Sequence, residues 1–485
     1  MPHADLVMLV ESMASARVLC IGDAMIDHYV SGRVERISPE APVPVLQIDR
    51  EERRLGGAGN VLRNLHALGV EACFISVVGA DSAGRDLSRM VAELGIAEAH
   101  VLAERDRVTT VKTRFIGDAQ QLLRADRERI MPLSARLRGD LLDIARTALG
   151  HYGLAIVSDY AKGVLADGLA GEIIAAARAA GATVIIDPKS NDYGIYRGAT
   201  LVKPNRRELA AAAGRPLDSE ADIVAAARAA MDKNDIAAML VTCGKDGMLL
   251  IERGAQHHRL PAAAREVYDV SGAGDTVVAV LGAALAAGAS LYDAASLANE
   301  AAGIVVGKVG TAIVPANELA QALIDRDALE HSKVLPLSLA LDHVARWRRN
   351  GLAVGFTNGC FDLLHPGHVA LLKQARAACD RLVVGLNSDG SVARLKGAGR
   401  PIQPAEARAA VLSSLASVDL VVVFEEDTPV ALIEALRPEL LVKGADYRRD
   451  EVVGGAFVES YGGKVLLAEL LPGHSTTATI ARASA

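Results

Sequence analysis

Short apolar runs alternate with longer patterns rich in Ala and Leu from Arg17 to about Pro315. The runs cover residues 17–22, 154–158, 183–187, 200–203 and 239–242. Strands that are apolar on both sides and separated by helices form parallel sheets with both faces covered, so this half predicts an α/β domain. Between Asp27 and Arg54 the pattern changes to alternation with three prolines, which predicts a small exposed sheet, a lid, over about residues 28–54.

The alternation begins again at residue 352, with apolar runs at 352–356, 381–385, 420–424, 440–443 and 464–467. Runs of this kind over about 140 residues predict a second α/β domain of Rossmann-like size. A charged helical stretch, 317–333, and the segment 334–338 separate the two halves. We therefore expect a first domain over 1–320, a linker over 321–345 and a second domain over 346–485.

Composition narrows the class of partner and the compartment. The formal net charge is -7 and no run of Lys or Arg occurs, which argues against nucleic-acid binding. The five cysteines are scattered without a CxxC pair, so a reducing cytoplasm is expected rather than disulfides. The N-terminus does not have the pattern of a signal peptide. The uncharged stretch 276–292 is shorter than the roughly 20 residues that span a bilayer, so it predicts a buried helix and no membrane partner.

The segment Asp269-Val-Ser-Gly-Ala-Gly-Asp-Thr276 is the most informative in the first half. Its turn residues Gly272, Ala273 and Gly274 let backbone N–H groups converge on a phosphate at the positive end of the following helix. Asp275 stands beside this nest, so we expect its carboxylate to be ionised and to accept a proton from an attacking hydroxyl. The alternative is that the turn only starts a helix that Asp275 caps.

Two further segments point to ligands. Gly56 and Gly57 in a second turn allow close approach to the backbone, and Asn60 after them is a candidate for holding a sugar hydroxyl. Asn205 and Glu208 follow a predicted strand, where open parallel sheets bind ligands. A simple capping box explains the same pair equally well.

In this order and spacing, the three segments resemble the ribokinase family of carbohydrate kinases over about residues 15–315. The resemblance implies that Asp275 is the catalytic base and that the amides of residues 272–275 form the anion hole. It implies that Asn205 and Glu208 lie by ATP-Mg²⁺, Glu208 through water, and that Asp27 contacts the sugar. It also implies a lid used for homodimerisation and leaves room for a monovalent cation.

The second half carries Phe356-Thr-Asn-Gly-Cys-Phe-Asp-Leu-Leu-His-Pro-Gly-His368 between a strand and a helix. His365 and His368 are three residues apart and share a face at the helix's positive end, where donors stabilise charge on an α-phosphate. The alternatives are a metal site and an ordinary surface histidine. Pro366 and Gly367 between them, with no third ligand in register, argue against zinc.

Further candidate groups for binding phosphate or nucleotide are Thr357, Lys396, Arg400, Lys443, Ser475, Thr476, Thr477 and Arg482. Each alone is equally well a solvated charge or a helix cap. The whole set resembles the HxGH nucleotidyltransferase superfamily over about residues 350–485. That resemblance implies attack of a substrate phosphate on the α-phosphorus of a nucleoside triphosphate, with His365 and His368 steadying the transition state. Lys443 and residues 475–477 would hold phosphates.

The fusion of both halves resembles the bifunctional heptose-phosphate kinase and adenylyltransferase family of lipopolysaccharide precursor synthesis. The resemblance implies ATP-dependent phosphorylation of D-glycero-β-D-manno-heptose 7-phosphate at O1, then adenylylation of heptose 1-phosphate to ADP-heptose. A separate phosphatase must act between these steps. Arg33, Arg36 and Arg114 are candidates for binding the phosphate that the sugar already has. Two alternatives stay open: the same chemistries with another sugar phosphate or with CTP, and an inactive sensing scaffold.

Overall fold

A computed structural model describes residues 3–118, 120–263, 267–308, 310–397, 399–445 and 448–469. The chain divides into two compact units, Met1–Asp327 and Ala328–Ala485. Each unit is an α/β domain, as the hydrophobic pattern predicts.

The first unit alternates strands and helices along most of its length. Its strands are β1 Arg17–Gly22, β2 Ala24–Ile37, β3 Pro44–Gly57, β4 Glu71–Gly79, β5 Glu98–Glu104, β6 Val111–Gly117, β7 Gln120–Arg127, β8 Leu154–Ser158, β9 Thr183–Asp187, β10 Leu201–Val202, β11 Ala238–Thr242, β12 Met248–Glu252 and β13 His258–Leu260. Its helices are α1 His3–Ser12, α2 Ala58–Ala67, α3 Ser82–Glu93, α4 Ala135–Leu149, α5 Leu169–Ala179, α6 Arg206–Ala213, α7 Glu220–Asn234, α8 Ala273–Ala286, α9 Leu291–Val305 and α10 Ala316–His331.

The central sheet of this unit has the strand order β13-β12-β11-β10-β9-β8-β1-β4-β5. The strands from β11 to β5 in this order are parallel, whereas β12 and β13 are antiparallel to their neighbours. Helices cover both faces: Val18 and Cys20 of β1 belong to one apolar cluster and Leu19 and Ile21 to the other. This two-sided burial explains why the strand reads as a continuous apolar run.

A second, four-stranded sheet in the order β3-β2-β6-β7 forms the lid. It is larger than the expected 28–54 segment, because it includes all of β2 and β3 and recruits β6 and β7. β7 was missed because every one of its residues is exposed, so it leaves no apolar signature. β2 pairs antiparallel with β3 and parallel with β6.

The second unit is a five-stranded parallel sheet in the order β16-β15-β14-β17-β18. Its strands are β14 Val354–Gly359, β15 Arg381–Asn387, β16 Leu420–Phe424, β17 Leu440–Gly444 and β18 Lys464–Ala468. Its helices are α11 Leu337–Arg349, α12 Pro366–Ala377, α13 Asp389–Lys396, α14 Ala405–Ser413, α15 Val430–Leu436 and α16 Gly455–Ser460. The strand order reverses between β14 and β17, and such switch points are where doubly wound sheets bind ligands at the carboxyl ends of their strands.

The segment 321–345, expected to be a linker, is packed against the two units at its ends. Leu323 of α10 is buried in the core of the first unit. Leu335 donates its N–H to the Val421 carbonyl at 3.0 Å, and Ala340 and Val344 of α11 are buried in the core of the second unit. Both ends of the segment are therefore packed, because its apolar positions complete the two neighbouring cores.

The uncharged stretch 276–292 falls on α8 and the start of α9, and α8 is buried along most of its length. The prediction of a buried helix is thus confirmed for α8. Across the described ranges, no helix combines the length and apolar character needed to cross a membrane.

Candidate active sites

The glycine turn before α8 forms the expected nest. Gly272 is the N-cap and has φ +79°, and a Cβ added there would lie 2.8 Å from Asn60 Nδ2. Only glycine suits this position, because the left-handed backbone and the close contact both exclude a side chain. The first intrahelical bond is donated by Thr276 N to Gly272 O, so the N–H groups of Gly274 and Asp275 precede it and point out of the helix end. Ala273 N donates to the Val270 carbonyl at 3.3 Å.

Asp275 is 3% exposed and held at both carboxylate oxygens. Tyr160 donates its hydroxyl to Oδ1 at 2.5 Å, and Asn60 donates Nδ2 to Oδ2 at 2.8 Å. The side chain therefore does not cap α8. Burial, followed by the nearby Asp187, raises the pKa of Asp275 to about 7 against the hydrogen bonds and Lys203, which lower it. At this pKa the carboxylate is only partly ionised near neutral pH, because desolvation opposes the positive nest.

A buried ion pair lies beside the nest. Lys203 Nζ is 2.9 Å from Asp187 Oδ1 at the carboxyl ends of two neighbouring strands. Nζ is also 3.5 Å from where a Cβ of Gly274 would stand. Burial lowers the pKa of Lys203, but Asp187 outweighs this and the net pKa is raised. The lysine therefore stays protonated beside the phosphate nest, where it is paired with Asp187, a role that the sequence pattern did not single out.

Asn205 and Glu208 form the capping box of α6. Asn205 Oδ1 accepts the Glu208 N–H and Glu208 Oε2 accepts the Asn205 N–H, each at 2.9 Å. Glu208 Oε1 is 3.2 Å from Lys189 Nζ. The capping-box alternative is thus correct as a description of their contacts, and it fixes the Glu208 carboxylate near Asp187 and Lys203.

The predicted sugar-contacting residues meet near the base. Asp27 is buried and accepts a hydrogen bond from Arg114 at 2.6 Å, and a Cβ on Gly56 would lie 2.4 Å from Asp27 Oδ2. Gly57 has φ +58° and would bring a Cβ within 2.5 Å of a backbone carbonyl. Gly56 is therefore needed for close packing against Asp27, and Gly57 for close packing against the carbonyl of Asp23.

Asn60 contacts protein groups at both polar atoms of its amide. Its Nδ2 donates to Asp275 at 2.8 Å and its Oδ1 accepts from Arg63 at 3.3 Å, which leaves one N–H and one lone pair for the predicted sugar hydroxyl. It holds the carboxylate of Asp275 in place.

Tyr160 was missed by sequence reasoning. It follows β8 in a loop whose shape is set by Asp23, which accepts the N–H groups of Tyr160, Lys162 and Val164, each at 3.0 Å. The available signal was its position just after a buried parallel strand, where such sheets bind ligands.

In the second unit, the HxGH turn joins β14 to α12. His365 is the N-cap of α12 and accepts the N–H of His368 at Nδ1, 3.4 Å away. The two imidazoles are stacked, with centroids 3.7 Å apart and planes 20° apart. Burial, followed by His365, lowers the pKa of His368 to about 4, so this ring is neutral at pH 7.

Several predicted partners converge on this turn. Lys443 Nζ donates to Asn358 Oδ1 at 2.5 Å, and Thr357 is buried in β14. Asp362 accepts the Arg400 Nε and the Ile402 N–H, the latter at 2.7 Å, which ties the arginine to the turn.

Two other cations lie nearby. Lys396 is exposed at the end of α13, close enough to Cys360 to oppose the burial that raises the pKa of that thiol. Arg408, which sequence reasoning missed, is 2% exposed and donates to the carbonyls of Cys360 and Asn387 at 2.6 and 2.8 Å. The predicted Ser475, Thr476, Thr477 and Arg482 lie outside the described residues.

The two sheets, with a glycine nest in one and an HxGH turn in the other, define a chain with a carbohydrate kinase and a nucleotidyltransferase. Residues 15–318 match the pfkB family of carbohydrate kinases and residues 356–480 the cytidylyltransferase-like family. Proteins called bifunctional protein HldE match nearly full length: 58% identity in Paramagnetospirillum magneticum, covering 98% of both chains, and 56% in Acidiphilium cryptum, covering 99% of this chain and 98% of the other. The chain belongs to the HldE family of bifunctional proteins.

Solved structures agree on the fold of the first unit. Ribokinase of Arabidopsis thaliana in complex with ribose and ATP has a TM-score of 0.52 and 19% identity, covering 64% of this chain and 98% of the other. Phosphofructokinase-2 of Escherichia coli in complex with potassium has a TM-score of 0.54 and 21% identity, with the same coverage. At these identities the likeness establishes the ribokinase-like fold.

Proposed function

We propose that the first unit phosphorylates D-glycero-β-D-manno-heptose 7-phosphate at O1 and that the second adenylylates heptose 1-phosphate to ADP-heptose. The observation that carries the proposal is the nearly full-length match to HldE proteins at up to 58% identity. It covers both units in the same order, so the pair of activities is inherited together.

In the kinase, Asp275 accepts the proton of the sugar O1 hydroxyl as O1 attacks the γ-phosphorus of ATP. The O1–P bond forms, the bond from phosphorus to the β,γ-bridging oxygen breaks, and ADP leaves. The N–H groups at the start of α8 and the ammonium of Lys203 stabilise the negative charge on the transferred phosphoryl. A base with a pKa of about 7 suits this step, because it is available near neutral pH and still basic enough to accept the proton.

Mg²⁺ bound with ATP would neutralise charge on the ATP phosphates. Glu208 fits a role through water rather than direct coordination, since each carboxylate oxygen already accepts or pairs with a protein group. Asn205 is beside it. The proposal also includes a monovalent cation in the kinase unit, supported by the potassium complex of a phosphofructokinase with this fold.

In the second unit, the phosphate of heptose 1-phosphate attacks the α-phosphorus of ATP and pyrophosphate leaves. His365 caps the N-terminus of α12, and Lys443 of β17 reaches Asn358 near the carboxyl end of β14. These two side chains bind the phosphates of ATP. His368 is neutral, so it acts as a hydrogen-bond donor rather than as a cation. Thr357, Lys396, Arg400, Ser475, Thr476, Thr477 and Arg482 remain proposed as supporting groups.

The proposal includes a homodimer formed through the lid, working in the cytoplasm. Ile37, Ile48 and Leu123 of the lid are 51 to 62% exposed, and burial of these apolar side chains against a second copy would stabilise the dimer. Light scattering of the purified chain should give twice the monomer mass, and Leu123→Asp should reduce it to the monomer mass. A monomeric wild type would contradict the dimer.

Mass spectrometry tests the sugar. The purified chain with Mg-ATP should convert heptose 7-phosphate to a bisphosphate and leave fructose 6-phosphate and ribose almost untouched. With heptose 1-phosphate, ATP should be used in preference to CTP. Turnover of another sugar only, or a preference for CTP, would overturn the corresponding half of the proposal.

A further inference from the structure

The lid sheet places a lysine between two carboxylates on one face. Asp27 of β2 and Lys112 of β6 are register partners, and Lys112 is also the partner of Asp126 on β7. Side chains of register partners project from the same face of a sheet. Arg54 of β3, the other partner of Asp27, lies on this face too.

Both carboxylates are already engaged by arginines. Asp27 is 2.6 Å from Arg114 Nη1, and Asp126 is 2.9 Å from Arg124 Nε. Within the ranges the structure describes, Lys112 makes no ion pair with either of them. The ammonium of Lys112 lies instead over the aromatic ring of Tyr160.

Burial is the largest influence on the Lys112 ammonium and lowers its pKa, while Asp27 raises it and Lys162 lowers it again. A partly buried cation without a bonded anion costs free energy. A ligand that supplies the missing negative charge would offset this cost in free energy. Lys162, the nearby second cation, is 2.8 Å from Glu128 and 17% exposed.

Lys112 also stands at a suitable distance from the reacting group. Its Nζ is 5.6 Å from the centroid of the Tyr160 ring, and the hydroxyl of the same ring donates to Asp275 at 2.5 Å. One tyrosine side chain therefore separates the ammonium from the base. A sugar with one hydroxyl at Asp275 and a phosphate at Lys112 would lie alongside this tyrosine.

We infer that Lys112, assisted by Lys162, binds the phosphate monoester that the sugar substrate carries before the reaction. The inference rests on the proposed kinase function and names its specificity-determining group. Of the arginines considered from the sequence, Arg33 is exposed and paired with Asp49, and Arg36 is exposed. Arg114 is bound to Asp27 and Lys162 to Glu128, whereas Lys112 has no ion pair in the described residues, so Lys112 has the principal role and Lys162 contributes only a neighbouring positive charge.

The test compares kcat/KM for heptose 7-phosphate and for unphosphorylated heptose at saturating Mg-ATP, in the full-length wild type, Lys112→Met, Lys162→Met and Lys112→Arg. Lys233→Met, an exposed position on α7, is the matched control. We expect Lys112→Met to reduce the ratio of the two kcat/KM values roughly tenfold or more through KM for the phosphorylated sugar. Lys162→Met should reduce it less, and Lys112→Arg should restore part of it. Competition by inorganic phosphate should weaken in parallel.

The outcomes separate this inference from the proposed function. An unchanged ratio in Lys112→Met, with wild type active on heptose 7-phosphate, would overturn the phosphate subsite and leave the kinase function intact. An increase in KM for ATP instead would also overturn it. If the wild type used a different sugar phosphate, the heptose assignment would fail and the same ratio measured with that sugar would still decide the subsite. A wild type that prefers unphosphorylated sugars would reject both.

Discussion

At the scale of single residues, the kinase site depends on what surrounds Asp275. The hydroxyl of Tyr160 and the amide of Asn60 each donate to one carboxylate oxygen, while burial and Asp187 oppose ionisation. Both donors come from sequence positions more than a hundred residues away, so their approach to Asp275 could not be derived from a local pattern. Asp275 itself can be predicted from the sequence, because the glycines that mark the phosphate-binding turn lie within a few residues of it.

Tyr160→Phe tests this arrangement. The Tyr160 hydroxyl stabilises the ionised carboxylate, so loss of this hydroxyl raises the pKa of Asp275. As the pH is lowered, the variant therefore loses the base form of Asp275 earlier, at a higher pH than the wild type does. The acidic limb of the kinase kcat/KM profile, expected near pH 7 in the wild type, should move upward by about half to one pH unit. Tyr152→Phe is the control, because Tyr152 precedes β8 at the opposite end of the sheet. An unmoved limb, or one shifted to lower pH, would contradict the account.

The stacked histidines give a second prediction at this scale. The imidazole of His368 should remain neutral as the pH falls to about 4. The substitution His365→Ala should raise the pKa of His368, because the His365 ring is one of the two influences that lower it. Nitrogen NMR chemical shifts of the histidines measure this directly. A His368 that titrates near 6.5 in the wild type would show that burial does not control it.

At the scale of elements, the sequence pattern identified several strands that are apolar on both faces, although it missed β4, which is buried at every residue after Glu71. β1, β8, β9 and β16 were predicted at the bounds they have in the structure. The lid strand β7 and the short antiparallel β13 were missed, because exposure in one and brevity in the other remove the hydrophobic signature. Short glycine turns at candidate binding sites are therefore easier to predict from sequence than the exposed strands of the lid.

The turn before α8 gives a test with a matched control. Gly272 and Gly288 both have positive φ, but an added Cβ meets Asn60 Nδ2 at Gly272 and nothing within 4 Å at Gly288. Alanine at either position should cost about 1–2 kcal/mol of stability through backbone strain. Only Gly272→Ala should also displace Asn60 and reduce kinase kcat by at least about tenfold, measured by ADP release under conditions where both variants are folded. Equal effects on kcat would show that backbone strain, not contact with Asn60, is responsible.

At the scale of the whole molecule, each unit contains its own sheet, core and candidate site. Asp275→Asn should abolish phosphorylation and preserve adenylylation, because the amide cannot accept the proton. His365→Ala should do the reverse, lowering adenylylation by roughly a hundredfold or more. Assaying both reactions on each variant, with circular dichroism to confirm folding, checks this. Loss of both activities from either change in a folded chain would contradict independent sites.

The most direct measurement of the central claim follows all products in one reaction. The full chain is incubated with Mg-ATP and D-glycero-β-D-manno-heptose 7-phosphate, with and without a phosphatase that removes the 7-phosphate from the bisphosphate, and products are identified by mass spectrometry. We predict that the bisphosphate accumulates without the phosphatase and that ADP-heptose and pyrophosphate form only when it is present. Absence of any heptose bisphosphate, or formation of ADP-heptose without the phosphatase, would contradict the account.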